Sequence, residues 1–350
     1  MPPSAQLISL ATALPPHAIE QCDVAAAAHR SFAGRFADYE RLASVFATSG
    51  IRRRYGVRPL EWYFEPLGWP ERSAAYLDGA GALFIDAATA ALERAGLEAG
   101  AIDTVVTVSS TGIATPSLEA RAAARLGFRR DIERVPVFGL GCAGGVSGLA
   151  LAARLAQARP GSAVLLVVIE LCTVAVRRDK LTKANIVATA LFGDGAAACV
   201  LRAGDDGLAT VELSGQEMWP DTLDVMGWSV DAEGFGVIFD RAIPPFTEQH
   251  VAPAIAAILA RGGLALSDFD RLAFHPGGRK VIHALERAFA LDQGTLDHER
   301  TVLAEHGNMS APTALFVLER MLRAGLPRRT LLSALGPGFT VSSVALRRAS

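Results

Sequence analysis

The chain has 350 residues, of which 51% are hydrophobic and 20% are charged, and its net charge at pH 7 is −2. This composition predicts a globular protein with a large core, and the small net charge favours neither nucleic acid nor an anionic membrane as a partner. The four cysteines are widely separated and form no C-x-x-C pair, and the sequence has no H-E-x-x-H motif, so a metal site is not expected. It also shows no apolar run long enough to span a bilayer and no signal-peptide pattern, which predicts a cytoplasmic protein.

The first third of the chain predicts one strand and several helices. The strand covers Leu7–Ala13, helical segments run to about His29 and over Phe36–Ala47, and a long helix over Ala80–Ala95 ends at Gly96. Between them lie the basic run at residues 52–54 and a Trp/Pro/Gly-rich segment at residues 63–70. Both are expected to be solvent-exposed loops.

The sequence VPVFGLGCAGGVSGLALAA places a cysteine between a strand and a helix. Val135–Phe138 is expected to end a buried strand, Gly139 and Gly141 permit a sharp turn, and Val146–Ala158 predicts a buried helix. Cys142 therefore lies at a helix start, where free N–H groups and the helix dipole favour a thiolate. The alternative is an inert, buried cysteine.

The same glycines also fit a second motif. Gly139, Gly141 and Gly144 match G-x-G-x-x-G, and Glu170 ends the next apolar strand, which is the outline of a dinucleotide-binding unit. A mid-chain position and a cysteine in the pyrophosphate seat count against this interpretation. It remains the alternative from a different mechanistic class.

The second half of the chain repeats the first. The segment from Gly96 through Ile102-Asp103 into a strand has a counterpart from Gly263 through Phe269-Asp270, and 166 residues separate Cys142 from its counterpart Asn308. Alternating strands and helices in each copy predict an α/β fold of two βαβ-type halves with parallel strand pairs. Residues 1–205 would form the half that carries the cysteine, and residues 206–350 the other half.

His275 follows an apolar strand of the second copy, where α/β folds place ligands. A structural histidine is the simpler explanation when this residue is taken alone. The duplication, however, predicts that Cys142, His275 and Asn308 face one centre. There the imidazole would keep the thiol ionised, and His275 and Asn308 would donate to a thioester carbonyl and stabilise an enolate.

Five motifs in order, GCAGG, LFGDGAAA, HPGGRKVI, GNMSAPT and LGPG, resemble the type III polyketide synthases, the chalcone and stilbene synthase family. This resemblance implies a thiolase-like fold in a five-layer αβαβα arrangement and a homodimer. It also implies direct use of acyl-CoA and malonyl-CoA, with no carrier protein and no further cofactor. Cys142 falls on the family's nucleophile, His275 and Asn308 on its decarboxylation pair, and Phe192 on its gatekeeper between the coenzyme A tunnel and the cavity.

Within the family, the motifs ELC, KANIVATALFGDG, MGW and GNMSAPT are most similar to bacterial alkylpyrone and alkylresorcinol synthases, which implies a long-chain fatty acyl starter. The residues matching the family's cavity positions are Ser110, Cys172, Trp228, Ser310, Gly336, Pro337 and Gly338. The residues expected to bind coenzyme A are Arg41, Arg52, Arg279 and Lys280.

The chain departs from the family pattern in three regions. Leu335 replaces a phenylalanine, Thr115 replaces the methionine of plant enzymes, and Ser44 and Thr48 replace two basic coenzyme A contacts. Three alternatives remain. The first is a ketoacyl-carrier-protein synthase III, and the HPGG motif argues against it. The other two are a nicotinamide oxidoreductase and an inactive thiolase-like subunit.

Overall fold

A computed structural model describes residues 3–349, in which thirteen strands and ten α-helices alternate along the chain. The strands are β1 (Ala5–Ala13), β2 (His17–Glu20), β3 (Arg53–Gly56), β4 (Thr104–Val108), β5 (Glu133–Val137), β6 (Ala163–Leu171), β7 (Asp194–Ala203), β8 (Ala209–Met218), β9 (Met226–Asp231), β10 (Gly234–Phe239), β11 (Arg271–Phe274), β12 (Arg329–Gly336) and β13 (Thr340–Arg348). The helices are α1 (Gln21–Phe32), α2 (Tyr39–Thr48), α3 (Trp69–Ala95), α4 (Leu118–Leu126), α5 (Gly144–Ala158), α6 (Lys183–Leu191), α7 (Ile243–Ala260), α8 (Arg279–Ala288), α9 (Asp297–His306) and α10 (Thr313–Ala324).

Nine of these strands form one mixed sheet in the order β11-β12-β13-β8-β1-β7-β6-β4-β5. Strand β4 pairs in parallel with β5 and β6, and β11 pairs in parallel with β12, so the expected parallel pairing is confirmed in both halves. The other pairs of this sheet are antiparallel. The two half-sheets join where β1 pairs with β8, from Ala5 opposite Val211 to Leu7 opposite Ala209.

Five layers follow from the contacts of the helices. The long helix α3 and helix α4 pack on the outer face of the first half-sheet, and α7 packs on the outer face of the second, with α8 against it. Helices α5 and α10 contact each other and strands of both half-sheets, so they form the central layer of the expected αβαβα arrangement. Gly145 permits this contact, because a Cβ there would lie 2.2 Å from the carbonyl oxygen of Ala311.

Two expectations about exposed loops are correct only in part. Residues 65–68 lie outside helices and strands, as expected, but Tyr63 before them is buried in a 3₁₀ turn. Helix α3 begins at Trp69 rather than near Ala80, because Pro70 lies in its first turn, where proline is tolerated, and the Glu71 carboxylate accepts the Gly68 N–H at 3.0 Å. The basic run at residues 52–54 enters strand β3, and Arg54 is buried.

The strand before Cys142 was expected to be buried, but β5 is largely exposed. Strand β5 is the last strand of the nine-stranded sheet, so only one of its edges is paired, and Phe138 after it is 58% exposed. Among the described residues, no helix combines the length and apolarity needed to cross a bilayer.

Candidate active site

Cys142 lies in a short 3₁₀ turn, Gly141–Ala143, between β5 and helix α5. The turn needs glycine because Gly139 and Gly141 have φ angles of +91° and +46°. Their N–H groups donate to the Ser110 hydroxyl at 3.1 and 3.3 Å. Ser110 therefore holds the turn that presents Cys142 to the cavity.

A single cavity brings together the three residues predicted to carry the chemistry. Cys142, His275 and Asn308 all line it, and its empty volume is about 780 Å³. Phe192, Trp228, Ser310 and Pro337, also expected at the site, line it too. No Asp, Glu, Lys or Arg of residues 3–349 lines this cavity.

His275 follows β11 directly, as the sequence predicts. Its backbone N–H donates to the Ser333 carbonyl at 2.9 Å, which extends the pairing of β11 with β12 by one residue. Both ring nitrogens are buried and have no hydrogen-bond partner among the described residues. Burial lowers the pKa of the His275 imidazole to about 3.

The Asn308 side chain is held at both ends. Its Nδ2 donates to the Gly277 carbonyl at 3.0 Å, and its Oδ1 accepts the Ser310 N–H at 2.8 Å. One amide hydrogen is left for a ligand. Asn308 precedes α10 by five residues, whereas Cys142 precedes α5 by two, because Ser310 adopts a left-handed conformation (φ +56°) before α10 begins.

Burial also shifts the pKa of Cys142, the predicted nucleophile. It raises the pKa of the Cys142 thiol to about 12, with the buried Glu170 carboxyl adding to the rise, while a hydrogen bond from Ser310 opposes it. The shifts at Cys142 and His275 have opposite signs and favour the neutral form of each group. The unliganded cavity therefore holds a thiol and a neutral imidazole.

A larger outer pocket adjoins the catalytic cavity. Its empty volume is about 1230 Å³, and the two spaces share Phe239, Gly277 and Val281 in their walls. Its basic side chains are Arg41, Lys183, Arg241, Arg279 and Lys280. Lys183 and Arg241 were missed at the sequence level, since neither belongs to a basic run and only the fold places helix α6 and the end of β10 beside α8.

Five expected site residues lie outside the pockets expected for them: Ser110, Cys172, Arg52, Gly336 and Gly338. Ser110 does not line the catalytic cavity, because its hydroxyl faces the turn before Cys142. Cys172 is fully buried in the 3₁₀ turn that follows β6 and does not line the cavity. Arg52 does not line the outer pocket, because its exposed side chain pairs with Glu305 at 3.6 Å.

The LGPG loop, residues 335–338, packs against the turn that carries Cys142. Leu335 and Pro337 line the catalytic cavity. A Cβ at Gly336 would lie 2.5 Å from the Leu140 carbonyl, so this glycine lets β12 approach the turn that carries Cys142. Gly338 has a φ angle of +68° and lies beside Met218, outside the cavity wall.

The aromatic expected as gatekeeper packs on a second aromatic. Phe192 and Trp228 meet edge to face, with ring centroids 5.8 Å apart, at the cavity wall. The preceding residue, Leu191, lines the outer pocket. Of these two spaces, Phe192 itself lines only the catalytic cavity, and its role as gatekeeper stays a prediction.

Comparisons with known proteins identify the same family along the whole chain. Residues 3–205 match the model for the N-terminal domain of chalcone and stilbene synthases, and residues 210–350 match the model for the C-terminal domain. A 1,3,6,8-tetrahydroxynaphthalene synthase from Streptomyces peucetius subsp. caesius is 39% identical over 96% of this chain and 91% of its own length. The α-pyrone synthesis polyketide synthase-like Pks18 of Mycobacterium tuberculosis is 31% identical over 96% of this chain and 89% of its own.

A solved structure agrees with this family assignment. The crystal structure of the 1,3,6,8-tetrahydroxynaphthalene synthase from Streptomyces coelicolor, described as a bacterial type III polyketide synthase, superimposes with a TM-score of 0.93 at 28% identity, covering 99% of each chain. This similarity confirms the expected fold and excludes the dinucleotide-binding interpretation of the glycine motif.

Proposed function

Because the chain belongs to the chalcone and stilbene synthase family, the type III polyketide synthases that condense acyl-CoA with malonyl-CoA, we propose that it extends a long-chain fatty acyl starter and closes the product to an alkylpyrone or alkylresorcinol. The family membership is the premise. The starter, the product and the role of each residue are the proposal.

Cys142 is the acyl acceptor. Transfer of its proton to His275 gives a thiolate and an imidazolium, and this step leaves the net charge of the apolar cavity at zero. The thiolate attacks the starter thioester, coenzyme A leaves with the proton from His275, and the acyl group remains on Sγ. Burial disfavours either charge alone, as the opposite pKa shifts of the two groups show, so the proton passes directly from Sγ to the imidazole and the two charges form as a pair.

His275 and Asn308 then act on malonyl-CoA. Both donate to its thioester carbonyl oxygen, so the C–C bond to the carboxylate breaks, carbon dioxide leaves, and the electron pair forms an enolate on the coenzyme A thioester. The enolate carbon attacks the acyl carbonyl on Cys142, and the Sγ–C bond breaks. The free amide hydrogen of Asn308 is the observation that supports its role.

The outer pocket is the proposed coenzyme A site. Arg41, Lys183, Arg241, Arg279 and Lys280 bring five cationic side chains to its wall, which suits the phosphates of coenzyme A. Lys183 and Arg241 replace the two basic contacts that Ser44 and Thr48 cannot supply.

The apolar wall of the cavity is the observation that supports a fatty acyl starter. Beyond the catalytic end, the cavity continues between α7, α8 and the β9–β10 hairpin along apolar side chains: Met226, Val237, Ile238, Ile243, Val251, Val281 and Leu285. An alkyl chain gains about 0.8 kcal/mol for each methylene buried there. A chain built from malonyl units alone carries a carbonyl at every second carbon, and the side chains of these seven residues offer no hydrogen-bond donor to it.

One observation favours a second candidate. The relative that is 39% identical is a 1,3,6,8-tetrahydroxynaphthalene synthase, so a synthase without a fatty starter is the alternative. Product analysis separates the two. The purified enzyme is given malonyl-CoA alone and with saturated acyl-CoAs of increasing length, and products are identified by mass spectrometry.

If the starter is a fatty acyl-CoA, catalytic efficiency should rise roughly fourfold per added methylene until the apolar part of the cavity is filled. Val237→Trp, at the wall, should lower the chain length of the optimum without abolishing turnover of short starters. Leu223→Trp is the matched control, because Leu223 is 83% exposed. A flat profile, with a product from malonyl-CoA alone, would refute the fatty starter and support the second candidate.

We also propose a homodimer in which a second copy covers the edge of the first half-sheet. Strand β5 has one free edge, and Phe138, the residue directly after this strand, is 58% exposed. Exposed large apolar side chains beside an open strand edge are typical of a protein interface. Phe138→Glu should shift the sedimentation of the enzyme from dimer to monomer, and an unchanged dimer would contradict this interface.

A further inference from the structure

Arg54 is a buried cation beside the catalytic cavity. It lies in strand β3 and is 2% exposed, whereas Arg52, two residues earlier, has an exposed side chain. A buried guanidinium is costly unless hydrogen bonds compensate it. The Nε of Arg54 has no partner among the described residues, whereas both Nη atoms have partners, and these indicate its role.

Those partners are the last carbonyl groups of helix α6. Nη1 donates to the Thr189 and Phe192 carbonyls at 2.8 and 2.7 Å, and Nη2 donates to the Ala190 carbonyl at 2.6 Å. Gln21 accepts a further bond from Nη2 and itself donates to the Ala190 carbonyl at 3.1 Å. A cation at this end of a helix also compensates the helix dipole.

The remaining carbonyl of the same segment binds Asn308. The Asn308 N–H donates to the Leu191 carbonyl at 2.8 Å, and the Gly193 N–H donates to the Asn308 carbonyl at 3.0 Å. This isolated bridge joins Phe192 to Asn308. Every carbonyl from Thr189 to Phe192 is thus taken by either Arg54 or Asn308.

Two glycines bring these segments together over the Arg54 side chain. A Cβ at Gly193 would lie 2.4 Å from the His306 carbonyl oxygen and 3.3 Å from the Arg54 Cβ. A Cβ at Gly307 would lie 2.9 Å from the Leu191 carbonyl oxygen and 3.5 Å from the Arg54 Cβ. The stem of Arg54 therefore packs on both segments while its guanidinium binds one of them.

We infer that Arg54 is a positioning residue, which fixes the end of α6 against the segment of Asn308 and so aims the Asn308 amide into the catalytic cavity. The inference rests on the proposed role of Asn308 in decarboxylation. A shift of about 1 Å in a catalytic group is enough to lower a rate by about 100-fold, so a clamp of this kind has a kinetic consequence.

A purely structural role makes a different prediction. It would lower stability or the amount of active enzyme by the same factor whether or not Asn308 is present. Positioning acts only through Asn308, so its effect should disappear when the Asn308 amide is absent.

The test is a double-variant cycle on malonyl-CoA decarboxylation, measured as acetyl-CoA formation at saturating substrate. Arg54→Met should lower kcat by about tenfold in the otherwise unchanged enzyme and by less than twofold in the Asn308→Ala background. Arg54→Lys keeps the charge but has one terminal nitrogen in place of Nη1 and Nη2. It should lower kcat by about threefold, and it completes the cycle if Arg54→Met does not fold.

Arg94→Met is the matched control. Arg94 also donates to a backbone carbonyl and pairs with a buried carboxylate, Glu319, but neither residue lines the cavity. This variant should lose stability without a change in decarboxylation kcat.

Each outcome decides one question. Equal losses from the Arg54 variants with and without Asn308, or full activity of Arg54→Lys, overturn the positioning role and leave the proposed function intact. An Asn308→Ala enzyme that decarboxylates at the normal rate overturns the proposed role of Asn308 instead.

Discussion

Glu170 is a fully buried carboxyl group whose protonation state can be measured through stability. Its Oε2 accepts the Ser110 N–H at 2.9 Å and the Thr111 hydroxyl at 2.8 Å, while its Oε1 is buried without a partner. Burial raises the pKa of Glu170 to about 8, so this carboxyl is protonated at neutral pH. Cys142 and Cys172, the titratable thiols near it, are also kept neutral by burial, which raises the pKa of each.

The sign of the pH dependence follows from this shift. Below the unfolded pKa both states hold the proton, and between about 4.5 and 8 only the folded state holds it, so the free energy of unfolding falls as the pH rises. The slope attributable to Glu170 is at most about 1.4 kcal/mol per pH unit, or about 4 kcal/mol between pH 5 and pH 8.

Glu170→Gln removes this titration and keeps the shape. The glutamine oxygen can accept the same two hydrogen bonds, and its NH₂ group takes the place of an O–H that also lacks an acceptor. The free energies of unfolding of the two proteins should agree near pH 5, and the variant should become the more stable one as the pH rises to 9. Urea unfolding followed by circular dichroism at each pH measures this difference. Glu133→Gln, at an exposed position, is the control and should show no trend. A difference between Glu170→Gln and the unsubstituted enzyme that stays constant from pH 5 to pH 9 would refute the raised pKa.

Three further predictions concern the active site. Cys142→Ala should abolish product formation and the mass increase of the acyl-enzyme in intact-protein mass spectrometry, while near-normal turnover would sink the covalent mechanism. Lys183→Met should raise KM for malonyl-CoA by about threefold with kcat unchanged, since a half-exposed phosphate contact is partly screened, and an effect on kcat alone would contradict a binding role. Ser110→Ala leaves the N–H groups of Gly139 and Gly141 without their acceptor, so urea unfolding should show a loss of about 1–3 kcal/mol together with a lower kcat. Unchanged stability would mean that another acceptor holds this turn.

The central elements could be predicted because their sequence patterns are local. The helix after Cys142, the strand before His275 and the duplication that relates Cys142 to Asn308 all follow from apolar periodicity, glycines and spacing. The family motifs added the identity of the catalytic residues, which spacing alone leaves open. The structure brings all three to one cavity.

The remaining errors have one physical cause, which is that burial depends on distant parts of the chain. Arg54 is buried because the end of α6 supplies carbonyl acceptors to it across 135 residues of sequence. Ser110 is turned from the cavity by two N–H groups of a segment that follows some thirty residues later. Phe138 is exposed because β5 is the last strand of its sheet, a fact of topology that no local pattern contains.

The proposed mechanism requires the cavity to stabilise negative charge, and none of the described residues in its wall is a lysine or an arginine. Among the described residues that line it, only His275 can become charged positively, and burial opposes that by lowering its pKa. The backbone supplies what the side chains lack, because helix α5 begins two residues after Cys142 and the segment leading into α10 carries Asn308. Each helix start is equivalent to roughly half a positive charge, and in an apolar cavity little solvent screens it. Duplication of one βαβ unit thus gives two buried helix starts at one centre. In the proposed mechanism, the start of α5 stabilises the thiolate once its proton has passed to His275, and the segment before α10 presents the Asn308 amide to the enolate.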